Sequence, residues 1–332
     1  MNLNNIELQS RTVTWMRFIL AVMVVFIHIP HHTQFGLILC DDFCRLSVPA
    51  FFLISGYYFF LHFETWNTTL WLDKLKKRVF TILIPFILWN IIAMAQYVLR
   101  ALIVKEPFSF AQMYAERGIF IDYPLWFLRD IMLMSLLAPL VYFIVKKFGI
   151  WFFVAMMAFP LIGIWTSREI LTYNAVLFFI LGAYLQINEL DIISSFRKLG
   201  WQSLCIYIAM VFIARVVCPL NPVLTGAYRY LLVLSGVVTL FWVSGCLVET
   251  GTVKVNNHLS NSSFFIFASH AIVLGSVAAA VGKFLPGTSS GFLVARGAII
   301  WFGTVALCLA VYELMNRLLP KVTTVLNGKR VK

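Results

Sequence analysis

Charge is what this sequence has least of. Only 12% of its 332 residues are Asp, Glu, Lys or Arg, against about 25% in a typical soluble domain. Hydrophobic residues make up 61%, and the mean hydropathy is +0.89. That balance excludes an ordinary water-soluble enzyme. No polar run is long enough for a separate soluble domain, so residues 1–332 are expected to form one membrane domain. A secretory signal is missing as well: the first ten residues are polar, a charge interrupts the apolar stretch that follows, and no small-residue cleavage site appears. The first apolar helix is therefore expected to stay. There are six cysteines, and their spacing is not that of a metal site, so no metal is expected. Cys205, Cys246 and Cys308 lie in apolar segments and read as small buried hydrophobes. Cys40 and Cys44 share a loop and would pair only in an oxidising compartment. No internal repeat stands out, which weighs against a transporter built from inverted halves.

What the sequence has in abundance is apolar runs near 20 residues long, the length a helix needs to cross a bilayer. About ten can be counted. The first lies within residues 12–30, and the others begin near Leu46, Val79, Pro124, Ile150, Tyr173, Trp201, Tyr230, Ser262 and Phe292. The expected fold is all-α, a polytopic membrane bundle of about ten transmembrane helices over residues 12–316. A polar tail at 1–11 and a basic tail at 317–332 flank it. The net charge of +12 reports orientation and not a nucleic-acid partner, because short cytoplasmic loops collect Lys and Arg. With the N-terminus inside, 15 of the 26 basic residues fall on the inner face, among them Arg11, Lys74 to Arg78, Lys146, Lys147 and the tail. Both termini are expected to be cytoplasmic. The longest outer loop, about Lys105 to Tyr123, is long enough for a lid.

Five stretches carry chemistry or packing. The first span, TVTWMRFILAVMVVFIHIP, holds Arg17 and His28. Eleven residues at about 100° each make three turns plus about 20°, so both side chains share a face, about 16 Å apart along the axis. Ionisable groups on one stripe of a membrane helix mark a functional site facing the bundle interior. The bland alternative is that Arg17 snorkels to the inner interface and His28 sits at the outer one. In the second span, Ser55 and Gly56 interrupt an aromatic run, and small residues there allow close helix approach. The third stretch runs from Lys74, Lys76, Lys77 and Arg78 into a helix containing Pro85. It reads either as a positive-inside anchor or as a phosphate-binding patch at a helix N-terminus, suited to a nucleotide-bearing donor. In the fourth, PLWFLRD, Arg129 adjoins Asp130, and neighbouring helix positions point about 100° apart, so they need not pair. In the last, SFFIFASH, Ser263 and His270 share a face, and His270 lies about 12 Å inside the helix end, too deep for an interface role.

In this order the five stretches resemble the bacterial membrane acyltransferases known as acyltransferase family 3, which includes O-acetyltransferases of surface and lipid-linked polysaccharides. The likeness rests on Arg17 to His28, Phe51 to Tyr57, Arg78 to Pro85, Leu125 to Leu128, and Ser263 to His270. Two positions depart from the pattern: Thr14 stands where an Asp is common, and Thr81 where the third span commonly has a second basic residue. The ending, about a dozen residues past the last span, resembles the stand-alone members. The resemblance implies a multi-pass protein of the bacterial cytoplasmic (inner) membrane that moves an acyl group, most simply acetyl, from cytosolic acyl-CoA to a hydroxyl of a surface or lipid-linked carbohydrate. Lys76, Lys77 and Arg78 would hold the donor phosphates. His28 would act as base or acyl carrier, Arg17 would hold phosphate or orient the thioester, and His270 or Arg129 would stabilise the oxyanion. Ser55, Trp126, Arg129 and Ser263 would line the cavity. The competing reading is a transporter or exporter of a glycolipid or small solute with Arg17, His28 and His270 as its polar path; a scaffold in which they only fix packing is a third.

Overall fold

The computed structural model describes residues 3–105, 108–117, 121–158, 171–216 and 222–329, and among them every regular element is a helix. The principal helices are α1 (Leu3–His28), α2 (Ser47–Phe59), α3 (Thr68–Arg78), α4 (Ile84–Val104), α5 (Trp126–Leu136), α6 (Ala138–Phe148), α7 (Tyr173–Ile187), α8 (Gly200–Val216), α9 (Pro222–Glu249), α10 (Asn257–Phe284), α11 (Ser290–Leu318) and α12 (Pro320–Leu326). Among the described residues, five helical stretches are long and apolar enough to cross a membrane, or six if the bent pair Tyr123–Leu136 and Ala138–Phe148 is one span. The second, sixth and seventh expected spans correspond to α2, α7 and α8, with 13, 15 and 17 residues. These are shorter than the roughly 20 residues of a full crossing. The fifth begins in the helix Ile150–Ala158 and runs into 159–170, outside the described residues. So do parts of the expected outer loop, which holds the helix Phe110–Arg117.

The chain divides into two compact units. One comprises Met1–Leu20, Asp41–Lys74 and Leu133–Ser260; the other comprises Ala21–Cys40, Leu75–Met132 and Asn261–Lys332. The boundary falls within α1. Its helix starts at Leu3, so the polar stretch expected as a tail is instead the first turns of that helix. The polar residues there have partners: Gln9 is 5% exposed, and its Oε1 accepts the Ile192 N–H at 2.6 Å.

In the first unit, α2 and α7 cross at closest approach through two glycines. A Cβ on Gly56 would run into the Phe179 carbonyl oxygen, and one on Gly182 into that of Leu53. Lipid offers no hydrophobic drive for helix association, so backbone proximity of this kind supplies the attraction. Phe52, Phe59, Phe60, Phe178 and Phe179 fill the space around the crossing and are fully buried. The turn between α5 and α6 bends by 66°. Its cause is Pro139, which has no N–H for the Ser135 carbonyl; the Trp71 indole N–H donates to that oxygen at 3.0 Å. Cys44 here, and Cys40 in the second unit, are both buried as thiols.

In the second unit the Trp301 indole on α11 donates to the Val22 carbonyl on α1 at 2.8 Å, and the Trp89 indole on α4 donates to that of Leu326 at 3.1 Å. Phe265 packs edge-on against Trp89 and meets Tyr312 at 5.4 Å. The join between α3 and α4 is a π-helical segment, Val79–Leu83. There Ile84 donates its N–H five residues back to Val79, and Pro85 follows with no N–H to give. Single π-turns inside α-helices recur at functional sites.

Candidate functional site

The site is assembled in the second unit from the two ends of the sequence. His28 is the last residue of α1 because Pro30 follows: the residue before a proline is steered out of the α region, and the helix closes at His28. From the other end, α10 begins at Asn257, earlier than the expected Ser262. His270 is therefore 13 residues from the helix start, or about 20 Å at 1.5 Å per residue, deeper than the sequence reading placed it. The two imidazole rings lie 5.1 Å apart, tilted by 39°. Tyr123 meets His28 edge-on at 6.2 Å.

The two histidines differ in access. His270 is completely buried, whereas His28 is half-buried. His270 Nδ1 lies 2.6 Å from the Phe267 carbonyl oxygen. A carbonyl only accepts, so Nδ1 carries the hydrogen, and Nε2 of the neutral ring keeps its lone pair. That Nε2 is buried with no hydrogen-bond partner among the described residues. Phe127 packs on Phe267 at 5.4 Å and holds the turn in place. A buried ring beside a second imidazole is an arrangement that can move a proton.

The remaining sequence candidates are distributed. Ser263 is buried on α10 two turns before His270, on the face expected. Trp126 is half-buried at the start of α5. Arg129 and Asp130 do pair, a possibility that helix geometry left open: Nε and one terminal nitrogen lie 2.9 and 2.8 Å from one Asp130 oxygen. The long arginine side chain folds back around the helix to neutralise a carboxylate that is completely buried. His270 Nδ1–H is taken up by the Phe267 carbonyl, whereas Arg129 carries further N–H groups besides the two on Asp130.

The basic patch also differs from its reading as a helix N-terminus. Lys76, Lys77 and Arg78 form the last turn of α3, whose start is at Thr68. The chain passes from them into the π segment without a break, so no free backbone N–H groups gather there, and an anion would be held by the side chains alone. Lys76 and Lys77 are exposed and Arg78 is half-buried. Lys74 turns away and donates to the Phe59 and Leu61 carbonyls at 2.7 and 2.5 Å, capping the end of α2.

Arg17 and Ser55 belong to the first unit. Arg17 is exposed and within electrostatic reach of the Tyr58 hydroxyl; Ser55 is half-buried on α2. Arg17 and His28 do share one unbroken helix. Sequence reasoning missed Tyr123, although it directly precedes the PLWF stretch, and missed the Phe267 carbonyl, which no side-chain motif could reveal.

Comparison with known proteins agrees with the sequence resemblance. Residues 11–313 match the family model described as an acyltransferase domain. The chain is 24% identical over 358 residues to the succinoglycan biosynthesis protein ExoH of Rhizobium meliloti (strain 1021), covering 97% of this chain and 92% of that protein. No solved structure matches it. His28, at one end of the matched region, and His270, near the other, meet in a single cluster, and the chain belongs to acyltransferase family 3, as a multi-pass membrane acyltransferase.

Proposed function

We propose that the protein is an O-acyltransferase that moves an acyl group, most simply acetyl, from cytosolic acyl-CoA to a carbohydrate hydroxyl of a surface or lipid-linked polysaccharide. The observation that carries this reading is the pair His28 and His270, 5.1 Å apart, with the Nε2 lone pair of the buried ring left without a partner among the described residues. The name of the relative, a succinoglycan biosynthesis protein, supports a polysaccharide acceptor.

Access divides the roles. His28 is half-buried and is the imidazole that meets substrate; His270, fully enclosed, works behind it. His28 either takes the proton from the acceptor hydroxyl or carries the acyl group between donor and acceptor. When His28 attacks the thioester carbon, the thiolate leaves as coenzyme A and the imidazole becomes acylated. The sugar oxygen then attacks that acyl group, and its proton goes to a ring nitrogen. In this reading His270 takes up or returns a proton during these steps. Tyr123, edge-on to His28, bounds the space on one side. Lys76, Lys77 and Arg78 hold the donor phosphates through their side chains.

In this reading the chain sits in the bacterial inner membrane with about ten crossings and both termini cytoplasmic. The test is incubation of membranes with labelled acetyl-CoA and analysis of the glycan fraction. Label that enters the glycan as an alkali-labile ester supports the proposal. Label that stays with acetyl-CoA while a glycolipid or solute crosses the membrane supports the transporter reading instead.

A further inference from the structure

We propose that the C-terminal segment of the chain completes the donor site, with Lys329 as a further ligand for the phosphates of acyl-CoA. This rests on the reading of Lys76, Lys77 and Arg78 as the donor patch. The segment read from the sequence as a basic tail is, over its described residues 317–329, built into the second unit. Thr323, Leu326 and Asn327 are buried. Trp89 holds the Leu326 carbonyl from above, and Asn327 Nδ2 donates to the Asn261 carbonyl at 2.8 Å. Gly328 lies against the Thr81 carbonyl, the oxygen that Pro85 leaves without its usual donor, and a Cβ there would run into it.

The backbone then does something a lysine rarely does. Gly328 and Lys329 both take left-handed conformations, with φ of +63° and +58°, and the Lys329 N–H bonds to the Thr324 carbonyl at 2.7 Å. Such a conformation costs a non-glycine residue of order 1 kcal/mol and persists only where surrounding structure holds it, commonly at ligand sites. Its effect is to lay the Lys329 ammonium over the Phe80 ring, 4.4 Å from the centroid. Phe80 follows Lys77 by three residues, so the two share a helix face. Lys329 thus brings a second cation to the face that carries Lys77, beside Thr81, where the third span itself has none. No acid pairs with it among the described residues. Two cations on one face, one of them fixed at backbone cost on an aromatic platform, with Lys76 and Arg78 on the same turn, suit a ligand with several phosphate groups.

The experiment is calorimetric titration of coenzyme A into the purified full chain, reconstituted in discs of neutral phosphatidylcholine and, separately, of anionic phosphatidylglycerol. The variants are Lys329→Gln, Lys329→Arg and Lys321→Gln, the last an exposed cation on the first turn of α12. Loss of one charge-assisted contact is expected to weaken coenzyme A binding by roughly tenfold in Lys329→Gln in neutral discs. Lys329→Arg should restore most of that, Lys321→Gln should match the parent, and all should keep the parent's melting temperature. Parent-like affinity in Lys329→Gln, with Lys77→Gln and Arg78→Gln weakened, would overturn the role of Lys329 while leaving the donor patch standing. A difference confined to anionic discs would overturn it too, by assigning Lys329 to lipid headgroups. Absence of coenzyme A binding by the parent would remove the donor reading itself.

Discussion

His270 Nδ1 lies 2.6 Å from the carbonyl oxygen of Phe267, one turn earlier on the same helix. That bond selects the tautomer and turns the other ring nitrogen, Nε2, into a buried acceptor with no partner among the described residues. A buried polar atom without a partner costs about 1–3 kcal/mol. Such a cost is understandable where the atom is needed during turnover, with a second imidazole 5.1 Å away.

His28→Ala is expected to lower acyl transfer by at least about 10²-fold, the scale of a lost general base, and by more if the ring carries the acyl group. Transfer of labelled acetyl to glycan measures this, with the size-exclusion profile of the purified variant as the check on folding. Activity equal to the parent would end the assignment.

For His270 the informative change is to Gln, which keeps a polar side chain and removes the imidazole. Transfer is expected to fall about 10²-fold or more, with coenzyme A affinity unchanged, since the ring is enclosed and does not meet the donor. A loss of coenzyme A binding equal to the loss of rate would show that the ring supports the fold and not the proton transfer.

Gly56→Ala tests the helix crossing. The new methyl meets the Phe179 carbonyl oxygen, and the overpacking should cost about 1–3 kcal/mol. A lowered melting temperature and reduced yield of folded protein are expected, and Gly182→Ala, on the opposing helix, should behave alike. An unchanged melting temperature in both would mean that α2 and α7 do not rely on this contact.

Asp191 supplies a pH dependence outside the spans. It caps the helix Ile192–Arg197 by accepting the Ser194 N–H at 2.7 Å, yet burial holds its carboxyl above the ordinary range and outweighs the hydrogen bonds from Ser194 and Ile193. A group whose folded pKa is raised favours the fold in its protonated form. Its contribution is therefore greatest below the ordinary carboxylate pKa of about 4 and declines as pH rises through the raised value. Thermal unfolding followed from pH 4 to 8 should show Asp191→Asn gaining on the parent toward neutral pH, since Asn also caps. Parallel curves for the two proteins would contradict the raised value.

The membrane character and the helical spacing of the candidate residues are legible in the sequence alone. The spacing of Arg17 and His28 needs only the helical repeat, and both do lie on α1. Pairing Ser263 with His270 likewise needs only seven residues on one helix. The errors came where one part of the chain answers another. The start of α3 at Thr68 moved the basic patch from a helix N-terminus to a helix end, because α3 runs on through a π segment that no hydropathy pattern signals. The pairing of Arg129 with Asp130, which helix spacing left open, follows from the burial of that carboxylate. The basic tail proved to be a packed segment because its partners, Trp89, Thr81 and Asn261, are far away in sequence.

By itself the amino-acid sequence determined that this chain lives in a bilayer, that it is helical, and that an arginine and a histidine lie on one stripe of its first span. Those follow from composition and from local periodicity, which are properties of neighbouring residues. Only the tertiary structure decided that His28 faces His270, which nitrogen of His270 keeps its lone pair, and that Lys329 lies over Phe80. Each of these depends on contacts between distant segments, or on a backbone carbonyl that carries no side-chain signature, and such contacts exist only once the helices have packed.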